Sequence, residues 1–505
     1  MSSVPPAKTS RLLWVSFDGT LAGGLGSCRD TVVSVLPDLI SQSENLNHVF
    51  VPGVGSGFTP FTRVFGVLCG WGTQHNVVTA YRSIATAYVP GDRIILCGYS
   101  RGAWAARYLA QIISLLGLPK QCDSNFVHLL DKHCDKDPTF QRPVDPKLLE
   151  YDRWNNVEIE ALCCFDTVGS LGLPLYGIAK PLSFLRRGPR KADIVSTVAS
   201  NVKNSFHCLA LHEQREPFSP TYMSGKNVHQ VFFVGNHGDM GWIDRRKESF
   251  VHAPPAWIVQ QLQWHSGMRF DEVKLNEYFP SYGRDPGDNL SCIDGPIART
   301  SRITRLFMGI KKRQPWNAAN YLRTADNGKN NGPEPTCDAC DTILSDVQIH
   351  VSARYYEQPE LAVPGYTQNA PIEGESHWIQ QGNALQSQGW RFLGNSRQNS
   401  SSSSSSLKQT PSTVASYKRI ACLPGSEPTN NGGQTRHRIY PALVGPLEAR
   451  LLALPAAAVS RRACCAPPSE TPQDEVTVTD SVPAEGGKTR QAISKWTKRF
   501  GFSHR

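Results

Sequence analysis

No stretch of this 505-residue sequence approaches the roughly 18 consecutive apolar residues of a membrane-spanning helix. Residues 1–10 are polar and proline-containing, lack the apolar centre of a signal peptide, and are expected to be disordered. The 14 cysteines set out no disulfide framework: Cys97, Cys163, Cys164 and Cys208 lie inside apolar runs, as small buried hydrophobes do. Cys337-x-x-Cys340 has no second pair at ligand spacing, so neither a zinc site nor a redox motif is expected there. Together these absences predict a soluble, cytoplasmic protein of a reducing compartment, with no metal or organic cofactor. A one-signed charge is also missing from the body of the chain. The formal net charge is +10, but 15 Lys and Arg against 7 Asp and Glu fall from residue 396 onward, so eight of those ten charges lie there. A nucleic-acid-binding core is therefore not expected, and any electrostatic partner belongs to the tail. There is no internal repeat.

What the chain does contain is alternation. Residues 12–17 form a short apolar run stopped by Asp18-Gly19-Thr20, which reads as a strand buried on both faces. A helix weakened by Pro37 is expected within Arg29–Ile40, a strand over His48–Val51, and a helix starting at Asn76 as N-cap. The run Arg93–Tyr99 ends in Gly98-Tyr-Ser100-Arg-Gly102, and helical spacing follows to Leu116, with Gly117 past the end. Residues 118–156 look irregular, with short helices. Strands are expected over Val157–Phe165 and Val228–Val234, and a helix over Ala256–Trp264. Asn204–Leu211 is apolar-rich and is a candidate to pack beneath the site. The pattern weakens from 271 to 395, although aromatics continue. From 396 to 505 the serine run and the Pro, Gly and Ala content predict a disordered, low-complexity tail. The expected organisation is a mostly parallel α/β sheet with helices on both faces over residues 11–395, including lid or insert regions, followed by that tail.

In such a sheet, sites form at the carboxyl ends of the strands. Asp18, Gly53, Ser100, Asp166 and His237 each follow directly after an expected strand, which puts all five on one edge. Gly-x-Ser-x-Gly between strand and helix presents a serine hydroxyl on a strained turn. The order Ser100, Asp166, His237 is that of an α/β-hydrolase triad. His237 would take the Ser100 proton and return it to the leaving group, while Asp166 would fix the histidine tautomer. His207, His212, His229 and His252 compete for the base, and Asp239 competes for the acid or serves behind it. The Arg101 N–H would supply half of an oxyanion hole, with the second donor from Gly19–Thr20 or, less favoured, Gly53–Val54. Asp18 is a candidate polar clamp nearby, or a turn residue.

At these positions the chain resembles a known family. Phe17-Asp-Gly-Thr20, Pro52-Gly-Val-Gly55, Gly98-Tyr-Ser-Arg-Gly-Ala103, Phe165-Asp-Thr-Val-Gly-Ser170, Leu209-Ala-Leu-His-Glu-Gln-Arg215 and His237-Gly-Asp-Met-Gly241 are similar to motifs of the DUF2235 family of α/β-hydrolases. That family includes catalytic domains of type VI secretion phospholipase effectors and many fungal proteins. The ordered matches span residues 11–265, and Ile349–Tyr355 faintly resembles a later segment. The resemblance implies a serine esterase or lipase, phospholipase-like, with Ser100, Asp166 and His237 matched to the triad and an ester or lipid as substrate.

Other readings have their own marks. Phe17-Asp18-Gly19-Thr20-Leu21 resembles the first motif of haloacid-dehalogenase phosphatases, but Ser16 stands where their aspartate nucleophile is required. A catalytically inactive hydrolase fold acting as a binding module is the alternative to an enzyme. Lys488–Arg505 holds six Lys and Arg and no acid, with Ile493, Trp496 and Phe500 on one helical face, which makes peripheral membrane contact an expectation to test.

Overall fold

The computed structural model describes residues 10–19, 31–53, 73–137, 143–169, 195–242, 250–284, 297, 309–311, 313, 347–354, 376–380, 390–395, 436–441 and 444–454. All of them belong to one compact unit, Met1–Cys465. The Cys337–Cys340 pair, Thr20, Val54 and the basic segment 488–505 lie outside the described residues.

Among the described residues, ten strands share one sheet: β1 (Leu12–Phe17), β2 (Leu46–Val51), β3 (Arg93–Tyr99), β4 (Ile159–Phe165), β5 (Val202–Ala210), β6 (Val228–Phe233), β7 (Val347–Ile349), β8 (Ser376–Gln380), β9 (Trp390–Asn395) and β10 (Arg436–Pro441). Their order is β9-β8-β10-β7-β6-β5-β4-β3-β1-β2. Every pairing from β2 across to β10 is parallel, and β8 runs antiparallel to both neighbours. The mostly parallel sheet read from the sequence is therefore the one observed.

Alternation along the central strands divides the core in two. Leu13, Val15, Ile94, Leu96, Leu162 and Cys164 face one side, against α1 (Thr73–Ala87), α2 (Arg101–Leu116) and α3 (Ser124–Lys136). Leu12, Trp14, Ile95, Cys97, Cys163 and Phe165 face the other, against α4 (Ala253–Ser266) and α5 (Pro446–Leu451). Cys97, Cys163, Cys164 and Cys208 are buried free thiols within the strands.

Some boundaries differ from the sequence reading. α1 begins at Thr73, not Asn76; Asn76 lies inside the helix, and its side-chain amide donates to the Pro52 carbonyl at 3.0 Å. The expected helix at Arg29–Ile40 is a single turn, Val32–Val35, continued by a 3-10 turn through Pro37. The largest correction concerns the tail. Val444–Leu454 packs into the core: Leu447, Leu451, Leu452 and Leu454 are buried beside α4. Burying each leucine contributes about 2 kcal/mol, enough to order a segment set in weakly patterned sequence. Glu448 within it meets His350 Nε2 at 2.5 Å, and His350 Nδ1 in turn meets Ser352 Oγ at 2.7 Å. Strand β10, also within the expected tail, lies beside β7.

Candidate active site

The turn after β3 is built by close approach. A Cβ on Gly98 would stand 2.4 Å from the Gly102 carbonyl oxygen, and one on Gly102 would stand 2.3 Å from that of Phe17. Only glycine lets strand, turn and helix meet this tightly. Ser100 sits between them at φ 59° and ψ −119°, a strained conformation for a non-glycine residue. Its N–H donates to the Phe165 carbonyl at 2.9 Å, which ties the turn to the end of β4.

Asp166 follows β4, also at positive φ (47°), and is fully buried. Its Oδ2 accepts from His237 Nδ1 at 2.5 Å, and its Oδ1 accepts from the Ala210 N–H at 3.0 Å. Because an ionised carboxylate only accepts, the Nδ1 proton is on the histidine, and Nε2 faces the Ser100 hydroxyl at 2.8 Å. Arg313 adds two more donors to Asp166, at 2.5 Å to Oδ1 and 2.7 Å to Oδ2. Burial alone would raise the Asp166 carboxyl; Arg313 and then His237 overcome that and hold it well below the usual carboxylate range.

His237 is carried on a short turn after β6 and packs against two aromatic rings. The Tyr99 ring lies 5.2 Å away and the Phe218 ring 4.7 Å away. The Tyr99 hydroxyl donates to the His237 carbonyl at 3.0 Å, and the His237 N–H donates to Glu213 Oε2 at 3.1 Å. Glu213 is itself forked by Arg215, at 2.9 and 2.7 Å. Burial would raise Glu213, but Arg215 keeps it below its ordinary value.

The rival residues have other partners. Asp239 Oδ2 accepts from the Asn236 N–H at 2.8 Å and so caps its own turn; burial raises its carboxyl to about 6. His207 accepts from the Thr167 N–H at 3.2 Å and meets Gln230 Oε1 at 3.0 Å, a neutral peg under the acid loop. Burial and then Arg107 push it down to about 3. His212 Nδ1 accepts from the Gly235 N–H, and His229 and His252 pack against aromatic rings. Asp18 is buried and accepts from the Gly19 N–H at 2.7 Å; burial raises it to about 6 against that bond. The Gly19 N–H expected for the oxyanion hole is thus held by Asp18, a turn-type bond between adjacent residues. Arg101 opens α2, in the turn whose N–H groups point out of the helix N-terminus. A crevice lined by Asp18, Gly53, Asn76 and Arg101 opens beside the turn. Ser16 is fully buried, donating to the Val33 carbonyl at 2.6 Å, so it offers no phosphoryl acceptor.

The structure thus brings Ser100, Asp166 and His237 within hydrogen-bond distance. Asp18 and Asp239 bond to N–H groups of their own turns instead, and Tyr99, Glu213, Arg215 and Arg313 join the site. Glu213 and Arg215 lie within a motif already noted in the sequence; Arg313 lies in none.

A parallel sheet carrying serine, carboxylate and histidine in this order at its carboxyl edge is the α/β fold of the hydrolase type. Residues 11–261 match the family described as type VI secretion system phospholipase effector Tle1-like, catalytic domain, and over those residues the chain belongs to that family. Among curated proteins, the uncharacterized protein YEL023C of Saccharomyces cerevisiae is 25% identical over 229 residues, 40% of this chain and 31% of that protein. Two solved structures are similar. One is the Tle1 effector bound to the VgrG spike of the type VI secretion system (17% identity, TM-score 0.30, 47% of this chain and 52% of that one). The other is an uncharacterized protein from Pseudomonas aeruginosa (16% identity, TM-score 0.32, 52% and 47%). The chain thus spans about a third to a half of the length of these relatives. The family is one of phospholipase-like hydrolases.

Proposed function

We propose that this chain is a serine hydrolase that cleaves carboxylic esters through an acyl-serine intermediate at Ser100, with lipid esters as the substrate class. The observation that carries the reading is the unbroken line Ser100 Oγ–His237 Nε2–His237 Nδ1–Asp166 Oδ2, at 2.8 and 2.5 Å. His237 removes the hydroxyl proton as Ser100 attacks the ester carbonyl, and the ionised Asp166 stabilises the imidazolium. Collapse of the tetrahedral intermediate expels the alcohol, protonated by His237. Water, activated by the same histidine, then releases the acid. The Arg101 N–H faces the developing oxyanion; with Gly19 committed to Asp18, the second donor is sought at Thr20 or the Gly53–Val54 loop. Family membership supports the lipid class. Lys488–Arg505 is the segment proposed to meet a lipid surface, and co-sedimentation with anionic vesicles, with and without those residues, tests that.

The test is a panel of p-nitrophenyl esters of increasing chain length and of phospholipid vesicles, with wild-type protein and Ser100→Ala. Hydrolysis by the wild type that disappears in Ser100→Ala is the expected result. No turnover of any ester, or equal turnover by both proteins, contradicts the reading and favours a binding module.

A further inference from the structure

Arg313 stands outside the matched residues 11–261. Its guanidinium nonetheless completes the polar line that starts at Ser100. Besides gripping both Asp166 oxygens, it donates to the carbonyls of Ala210 at 3.1 Å and Phe218 at 2.7 Å. The side chain is 2% exposed, against 0% for Asp166. Removing a guanidinium from water is costly, so a fully buried fork on a carboxylate that already has a backbone N–H and an imidazole calls for a role beyond stability. Its approach is built into the backbone. The Lys311 N–H donates to the Gln214 carbonyl at 2.8 Å, and Ile310 bridges Arg215, so Ile310 and Lys311 lie alongside the loop that holds His237 through Glu213.

We propose that Arg313 is a positioning residue: it fixes Asp166 on both oxygens and offsets its charge, so that the carboxylate is held in place against His237 with less negative charge facing the ring. The site is then complete only when Arg313 is in place. The inference rests on the reading of Ser100, His237 and Asp166 as a hydrolytic triad. A buried carboxylate bearing its full charge favours the protonated imidazole, and a protonated histidine cannot accept the Ser100 proton. A cation on that carboxylate weakens the trap.

Other charged groups nearby are occupied elsewhere. Glu213 and Arg215 offset each other, and Arg107 gives its fork to the carbonyls of Val195, Thr221 and Tyr222. Asp18 and Asp239 accept from neighbouring N–H groups, Tyr99 donates to the His237 carbonyl, and His207 is neutral. Tyr222 adds no charge, since burial raises its phenol to about 12. Among the described residues, Arg313 is the cation that touches Asp166.

Full-length Arg313→Met and Arg313→Lys test this by following histidine ring signals by NMR against pH. The His237 signal is identified by its loss in His237→Gln. The expected result is a His237 titration midpoint raised by about one pH unit in Arg313→Met, a tenfold change in proton affinity. Arg313→Lys, which keeps the charge but not the fork, shifts it less. The acid limb of the pH dependence of kcat/KM for a short-chain p-nitrophenyl ester moves with it, and activity recovers at higher pH. Activity lost at every pH with the midpoint unmoved makes Arg313 a brace only and overturns the proposal, as does wild-type behaviour of both variants. A midpoint that moves in a protein with no esterase activity keeps the electrostatic role and sinks the hydrolase reading. If Arg313→Met does not fold, Arg313→Lys decides by the same measurement.

Discussion

The Tyr99 hydroxyl donates to the His237 carbonyl at 3.0 Å, so the residue just before the nucleophile holds the backbone of the base. The ring is pinned as well. A Cβ on Gly241 would stand 2.2 Å from it, and one on Gly19 would stand 2.6 Å from it. Gly241→Ala must therefore push Tyr99 and the His237 turn apart. Ester hydrolysis is expected to fall about a hundredfold, the effect of displacing a reacting group by about 1 Å. Tyr99→Phe loses only one hydrogen bond, worth about 1 kcal/mol, and should cost much less. Equal losses in the two variants would contradict this, and steady-state kinetics decides.

Strain at Ser100 makes a second prediction. Its φ of 59° suits glycine and penalises any side chain. Ser100→Gly should raise the unfolding free energy by about 1 kcal/mol while abolishing hydrolysis, and Ser100→Ala should abolish hydrolysis without that gain. Urea unfolding of both variants at one pH measures the difference.

Asp18 carries a pH signature. Burial raises its carboxyl to about 6, above the value of about 3.9 in an unfolded chain. The folded state therefore holds the proton more tightly, and this group's contribution falls as pH rises from about 4 to about 6, then stays flat. Asp18→Asn removes that slope while keeping an acceptor for the Gly19 N–H. Relative to wild type, the variant should gain stability between pH 4 and pH 7, by at most about 3 kcal/mol. Urea midpoints at the two pH values check it; a variant that loses ground as pH rises would reverse the sign.

Glu448 and His350 tie the last described segment to the edge of β7 while both are fully buried. The Ser352 N–H donates to His350 Nδ1, so His350 gives its Nε2 proton to Glu448, and removing the carboxylate leaves that buried donor unmet at a cost of about 1–3 kcal/mol. Glu448→Ala should show that loss in guanidinium unfolding, and a chain ended at residue 443 should be destabilised further, because it also gives up the buried leucines. Wild-type stability of the shortened chain would show that Val444–Leu454 does not belong to the core.

Much of this was legible because local and global preferences agreed. The Leu12–Phe17 strand and the Arg101–Leu116 helix fall at the residues where the sequence placed them, and the apolar runs before Ser100, Asp166 and His237 announce strands. β5 was obscured by Lys203, Asn204, Ser205 and His207, which interrupt its apolar run. Of these, Asn204, Ser205 and His207 are buried, and His207 is accommodated by bonds to Gln230 and Thr167 that only the fold supplies. The Val444–Leu454 segment did leave a trace, since Leu447 and Leu451 stand one turn apart, but the surrounding composition outweighed it. Arg313 left none: its partner is 147 residues away, and no local pattern separates it from the other arginines of the chain.

The most direct test of the account is covalent labelling by a fluorophosphonate probe with the modified residue located by mass spectrometry. A single adduct on Ser100 is expected, slowed strongly in His237→Gln and in Asp166→Asn and absent in Ser100→Ala. An adduct on another residue, or undiminished labelling of Ser100 without His237, would contradict it.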